Sequence, residues 1–435
     1  MRRGTGNGAR RLDRLQNCII ALLTLSAVFL FASLPLFGAL SDRSLVELAW
    51  DRFRREASAP SVAETGAAAF SFPVRIVYAG GFSRAGADAI TTVSDEFERA
   101  GAYLGEALGS AYGGAPIREA EFLAALGGEG LYFDFAAALT PDLLSGLLGV
   151  SAPETALPSV RRVLLSPSGT AEVALYVQDG AGESYRFSTA ASGAALSDFL
   201  AAHGGNGADF AFLLGEAYEQ LSPYTLILTD PAPRGALTAA NALLENEDAF
   251  LRRAEFNAHT ENRFTESSGT VIVREASSAL YLRPDGTVDY QGGAVGPESL
   301  YFVASADGAP TLSEATAAAQ ALVAALTQDL LGDAALYLSG AREDGGGFEI
   351  DFDLMADGTP LRFSDGSHAA TVAVEGQYIT AFTLKARSYT LGGEDPLLLP
   401  FAQAAAIARV WDGAELFVAY VDTGAESVLP AWIAE

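Results

Sequence analysis

The sequence predicts an α+β protein in which a single N-terminal transmembrane helix is followed by a multi-domain ectodomain of helices packed on antiparallel sheets. Three observations carry this reading. An uncharged run of 23 residues stands near the N-terminus. Beyond it, apolar residues recur in alternating stretches of period 3.6 and period 2. Asp-Gly and Pro-Asp-Gly signals separate several of the period-2 stretches, as hairpin turns require. At 435 residues, the chain is about three times a typical domain of roughly 150 residues.

Composition removes several classes of function. The formal charge of −27 repels phosphate backbones, so no nucleic acid is expected as a partner. Three histidines and one cysteine leave few ligands for zinc or haem and no pair for an intramolecular disulfide. No cofactor is expected.

Residues 1–17 read as a cytoplasmic tail and 18–40 (CIIALLTLSAVFLFASLPLFGAL) as the transmembrane anchor. A helix of that length, at about 1.5 Å per residue, crosses a hydrocarbon core of roughly 30 Å. Arg2, Arg3, Arg10, Arg11 and Arg14 precede it against the single acid Asp13, which favours a cytoplasmic N-terminus and an extracytoplasmic C-terminal portion. Arg43, Arg52, Arg54 and Arg55 follow the span and weaken that bias. The apolar run is longer than the 7 to 15 residues of a cleaved signal peptide, and Phe37 stands two before Ala39 where cleavage wants a small residue. The localisation expected is therefore a single-pass cell-membrane protein. Cys18 sits at the cytoplasmic edge and reads as a small apolar boundary residue. Ser26 and Ser33, seven apart on one helix face, are the candidate partner-contact residues, because hydroxyls can bond across helices within a bilayer. Pro35 is positioned to kink the outer end.

Residues 41–69 read as a juxtamembrane stalk and linker: Val46, Ala49, Trp50 and Phe53 recur at helical spacing, and Pro60 lies among small residues. A mixed α+β domain is expected over 70–230. Val74, Ile76 and Tyr78 mark a strand; Ile90, Val93, Phe97, Leu104 and Leu108 mark a helix face. Pro116 is read as opening a second helix toward Leu126. Leu131, Phe133 and Phe135 alternate with Tyr132 and Asp134 as a half-buried strand. Thr140-Pro141 places an N-cap before a proline at the first helical position. Strands near 171–177 and 184–188 and two short helices to about 221 follow.

Two helix-plus-meander domains are expected next, over 231–308 and 309–435. In the first, Thr238 is read as capping a helix to about Phe256. Strands follow at Thr270–Arg274, Ala279–Arg283 and Thr287–Tyr290, the last two joined by Pro284-Asp285-Gly286. In the second, Thr311 and Glu314 form a capping box for a helix running to Leu331, followed by strands at 348–355, 371–374 and 378–391. A short helix after Pro400 and a strand over Glu415–Val421 close the chain.

Catalytic signatures are sparse. There is no G-x-S-x-G elbow, and the sole lysine, Lys385, has Phe382 three residues before it, so S-x-x-K is missing too. His203, His259 and His368 are scattered and read as surface or loop residues. Glu349, Asp351 and Asp353 share one face of a strand and could hold a hard cation, but a solvated polar face explains the alternation. No catalytic, cofactor-binding or metal residues are assigned, and the chain is read as a non-enzyme.

Several motifs, taken together, resemble the YycH/YycI regulators of Gram-positive bacteria. GLYFDFAAALTPDLLSGLLG (Gly130 to Gly149) is similar to that family's strand and proline-opened helix. ALYLRPDGTVDYQG (Ala279 to Gly292) is similar to its strand, turn and strand. FEIDFDLMADGTPLRF (Phe348 to Phe363) is similar to a strand running into a turn, and Leu429-Pro430-Ala431-Trp432 to the closing P-x-W. The resemblance implies a non-enzymatic modulator that contacts the sensor histidine kinase of the WalK type through its transmembrane helix and ectodomain, often beside a sibling YycH/YycI regulator, with the lipid bilayer around its anchor. A binding module for a wall fragment or exported peptide is the alternative reading.

Overall fold

The computed structural model describes residues 73–80, 83–87 and 95–435, apart from 152, 154, 206, 228–233, 244, 245, 260, 294–298, 306, 307, 394 and 395. The expected span at 18–40 with Ser26 and Ser33, the stalk and the linker lie outside the described residues. Among the described residues no helix is long and apolar enough to cross a membrane. All of them fall within one compact unit, residues 62–435.

The first sheet has seven strands: β1 (Pro73–Gly80), β2 (Ser83–Ala87), β3 (Tyr112–Ile117), β4 (Gly130–Leu139), β5 (Val160–Ser168), β6 (Glu172–Gln178) and β7 (Ser184–Ser188), in the order β2-β1-β4-β5-β6-β7-β3. Every neighbouring pair is antiparallel. The inner strand β4 differs from the half-buried strand expected, because both of its faces are covered. Leu131, Phe133 and Phe135 pack with Phe97, Leu104, Leu108, Leu196 and Leu200 from the helices Asp95–Gly109 and Gly193–Ala201. On the other face, Tyr132 packs with Phe122 and Leu126 of the helix Glu119–Leu126 and with Phe210. Asp134, read as a solvated residue, is buried. Alternation marks two faces of a strand but not which of them meets water.

Pro116 does not open a helix. It pairs with Tyr185 in β3, the outermost strand of the sheet, where a missing N–H breaks no ladder; the helix starts at Glu119. Thr140 behaves as expected, its hydroxyl accepting from Leu143 N at 3.3 Å ahead of the helix Pro141–Leu148.

A two-stranded ribbon, β8 (Asp209–Phe210) with β9 (Leu226–Ile227), leads into the second sheet. Its strands are β10 (Leu237–Asn241), β11 (Arg263–Thr265), β12 (Val271–Glu275), β13 (Ser278–Leu282), β14 (Thr287–Gln291), β15 (Ala334–Asp344), β16 (Gly347–Ala356), β17 (Thr359–Phe363), β18 (Ala370–Glu375), β19 (Tyr378–Lys385), β20 (Arg387–Leu391), β21 (Leu416–Asp422) and β22 (Ser427–Ala434). They run in the order β11-β12-β13-β14-β19-β18-β16-β17-β21-β22-β10-β20, with β15 also on β16. Strands from either side of residue 309 join this sheet, β14 pairing with β19. One pair, β17 with β21, is parallel.

Thr238 caps no helix. It lies in β10, opposite Thr390 and Ser427, and the helix that follows is only Glu247–Arg253. Pairing with two strands distant in sequence overrides the local cap signal. The capping box at Thr311 and Glu314 forms as expected, and its helix, Leu312–Thr327, lays Ala315, Ala319, Val323 and Leu326 into the core. That helix stops short of Leu331. Gly332, at φ 65°, then brings the chain against β20, where Asp333 N donates to Tyr389 O at 2.8 Å.

Candidate functional site: an arginine-lined cleft between the sheets

A cavity of about 720 Å³ opens between β1, β4 and β5 of the first sheet and β15, β16, β17, β21 and β22 of the second. Ligand pockets commonly have about this volume. One wall is an ionic cluster. Asp134, on the same face of β4 as Tyr132, is met by three guanidinium groups: Arg161 bonds its Oδ1, while Arg162 Nε and Arg75 Nη1 approach Oδ2 at 3.5 and 3.6 Å. Glu415, just before β21, accepts from Arg75 at 2.7 Å and faces Arg162 Nη2 at 3.2 Å. Burial opposes the charge on Asp134, but Arg161, Arg162 and Arg75 outweigh it and hold the carboxyl below its usual range. Removing a charge from water is costly unless it is paired, so these five side chains stand or fall together.

The cluster extends behind the wall. The Arg162 guanidinium lies 4.1 Å from the Tyr224 ring centroid and donates to Gln178 Oε1 at 3.0 Å. Tyr224 OH accepts from Gln178 Nε2 at 2.7 Å and donates to Glu119 at 3.1 Å. Burial first, then the Glu119 charge, raises the Tyr224 phenol.

The opposite wall carries the acidic strand β16. Asp351 and Asp353, expected on a solvated face, are both buried. Asp351 accepts from Arg342 at 2.5 Å and from Thr371 at 2.7 Å, and Arg342 also bonds Glu349. Asp353 lies 3.0 Å from His368 Nδ1 and 3.4 Å from Arg362 Nη1. Arg362 further donates to Tyr337 OH at 2.6 Å and to Glu435 Oε1 at 2.8 Å. Burial pushes the Tyr337 phenol up to about 12. The hydrogen bond to Asp353 raises the His368 imidazole above its usual value; partial burial opposes this, and the Asp353 and Asp351 charges reinforce it. The carboxylates of β16 therefore serve arginines, a threonine and a histidine, and no group of three or more acidic, histidine or cysteine ligands for a metal ion exists among the described residues.

His368 is thus the one histidine brought to the cleft. His203 stacks on Tyr78 at 4.0 Å between ring centroids, and His259 is exposed. Sequence reading missed Arg75, Arg161, Arg162, Arg362 and Glu415 as site residues. The signal present was the pair Arg161-Arg162 inside the otherwise apolar stretch SVRRVLLS, together with a lone Asp134 between two phenylalanines.

Two α+β layers of this kind, a seven-stranded antiparallel sheet and a larger, nearly all-antiparallel sheet closing on a charged cleft, define the fold class. The chain has a YycH-like fold: it superposes on the crystal structure of YycH from Bacillus subtilis with a TM-score of 0.57 at 12% identity, over 85% of this chain and 95% of that one. At that identity the likeness is one of fold. No family model matches the chain, and no curated protein does. The motifs that carried the resemblance fall on regular elements. Gly130 to Gly149 is β4 running into the helix capped by Thr140, Ala279 to Gly292 spans β13 and β14, Phe348 to Phe363 spans β16 and β17, and Leu429 to Trp432 lies in β22.

Proposed function

We propose that this chain is a membrane-anchored extracytoplasmic regulator that modulates a cell-wall sensor histidine kinase of the WalK type by protein–protein contact. The YycH-like fold is the observation that carries the reading. The uncharged segment 18–40 supports the anchor, with the N-terminus in the cytoplasm and the lipid bilayer around the span. A sibling YycH/YycI regulator is the second partner in this reading, and Ser26 and Ser33 are the anchor residues that touch a neighbouring helix. The protein acts without catalysis. A contact regulator shifts its target only as far as it binds one conformation better than the other, and it needs surface to do so. Leu397, Leu399, Ile407, Val410 and Trp411 expose such an apolar surface around the helix Phe401–Ala408.

The test holds residues 41–435 constant, exchanges 18–40 for an unrelated span, and measures kinase output in cells. Altered output with unchanged protein level is expected. Unchanged output removes the helix from the mechanism.

A second reading, a binding module for a wall fragment or exported peptide, is favoured by one observation: Phe363, Phe417 and Trp432 line the cleft beside its charges. Equilibrium binding of defined wall fragments and peptides to the full chain separates the two readings.

A further inference from the structure

Of the twelve large apolar side chains exposed among the described residues, five lie between residues 397 and 411: Leu397, Leu399, Ile407, Val410 and Trp411. They surround the helix Phe401–Ala408, which carries no charged residue. Folding does not bury them. The buried face of that helix is made of Ala404, Ala405 and Ala408, which pack against Ala211, Leu221 and Leu416, while Ile407 is 58% and Val410 76% exposed. A concentration of apolar side chains left in water marks an interaction site.

The border of this patch is acidic. Asp412 follows Trp411 directly. Glu216 and Glu219 stand on either side of a segment that packs on the helix: the Tyr218 and Phe401 ring centroids are 5.6 Å apart, and Arg409 Nη2 donates to Ala217 O at 3.1 Å. Glu216, Glu219 and Asp412 are all exposed, and Arg409 is the one cation set against them here.

That border decides among occupants. A second copy bound across a two-fold axis sets the patch against itself and brings an acidic border against an identical one, which like-charge repulsion opposes. A bilayer surface bearing anionic lipids repels the same three acids. A helix with an apolar stripe bordered by lysine or arginine suits both the patch and its border. We infer that the outer face of the helix Phe401–Ala408, with Leu397, Val410 and Trp411 beside it, docks such a basic-flanked amphipathic helix of a partner protein, and that Glu216, Glu219 and Asp412 receive its basic groups. This inference rests on the contact-regulator reading above and adds the chemistry of the partner's docking segment.

The experiment places the photo-crosslinking residue p-benzoylphenylalanine at Ile407, at Val410 or, as a background position on the first sheet, at the exposed Glu172, each in the full chain in its native membranes. Crosslinked products are sized, and the attached peptide is sequenced by mass spectrometry. The expected product arises from Ile407 and Val410 and not from Glu172, and its attached peptide comes from another protein and carries apolar residues at helical spacing beside two or more lysines or arginines. Reversing the border with Glu216→Lys, Glu219→Lys and Asp412→Lys together should lower that yield by about tenfold; exposed substitutions of this kind seldom unfold a domain, and the peptide's own sequence tests the inference even if this variant fails to fold. A yield no greater than at Glu172, a product of twice the chain's mass, a lipid adduct, an attached peptide without basic residues, or a yield that survives the reversal in folded protein overturns the inference. The regulator reading stands or falls separately, on kinase output after residues 18–40 are exchanged.

Discussion

Arg75 Nη1 donates a hydrogen bond to Glu415 Oε1 at 2.7 Å, although the two residues stand 340 positions apart in the chain. Arg75 belongs to the first described strand and Glu415 stands just before β21, one of the last two, so this contact staples the first sheet to the end of the second. Arg162 reinforces it from β5. Arg75 and Glu415 line the cleft, so the atoms that join the sheets also contribute to its charged wall.

Removing the acid from this contact should therefore cost more than a surface ion pair. Glu415→Ala leaves Arg75 and Arg162 facing Asp134 alone in buried surroundings, and breaking a buried pair from one side typically costs about 3–5 kcal/mol. Urea unfolding followed by circular dichroism measures the loss. A cost below about 1 kcal/mol would place this contact with ordinary surface ion pairs.

His368 should make stability depend on pH. Its folded value is raised above the ordinary 6.5, first by the hydrogen bond to Asp353. Its stabilising contribution is fully present below about pH 6.5 and is lost as the pH rises through the higher folded value. The ring is partly open to solvent, so the effect is screened. Between about pH 5.5 and about pH 8.5 the parent should lose more urea resistance than His368→Gln. Identical pH profiles for the two proteins would show that the Asp353 contact does not hold the proton.

Gly332 occupies a place closed to any side chain. Its φ is 65°, and a Cβ there would stand 2.3 Å from Tyr389 O. Gly332→Ala combines backbone strain of about 1–3 kcal/mol with displacement of β20, which pairs with β10. A clear drop in thermal midpoint is expected, with amide exchange quickening first along β10 and β20.

The capping box predicts a smaller effect. Thr311→Ala removes the hydroxyl that accepts from Glu314 N at 3.2 Å, and loss of an N-cap typically costs about 1 kcal/mol. Glu314→Gln keeps a side chain able to reach back to Thr311 N and should cost less. Equal losses for the two variants would mean that the Glu314 charge at the helix N-terminus matters as much as the cap.

Much of the local structure was legible. Thr140 and Thr311 cap the helices they were read to cap. The hairpin between β13 and β14 turns at Asp285 and at Gly286, whose φ is 87°. The periodicity of Phe97, Leu104 and Leu108 identified a buried helix face. Each of these signals is complete within a few residues, because caps, turns and amphipathic faces are set by neighbours close along the chain.

The misreadings share the opposite character. Thr238 looks like a cap, yet it sits in β10 between β20 and β22, strands more than a hundred residues downstream. Pro116 looks like a helix opener, yet it occupies a sheet edge. Asp134, Asp351 and Asp353 look like solvated faces, yet each is buried against arginines drawn from other strands. β5, β15, β17 and β22 passed unread, their evidence lying in partners rather than in their own periodicity.

By itself, then, the amino-acid order determined the α+β class, most helix caps and turns, an uncharged run long enough to span a bilayer and an acidic balance that repels nucleic acid. Only the tertiary structure decided which charges meet, because whether an aspartate faces water or a guanidinium depends on strands brought together from both ends of the chain. Arg75, Asp134, Arg161 and Glu415 form one wall because the sheets fold against each other, and no short stretch of sequence contains that information.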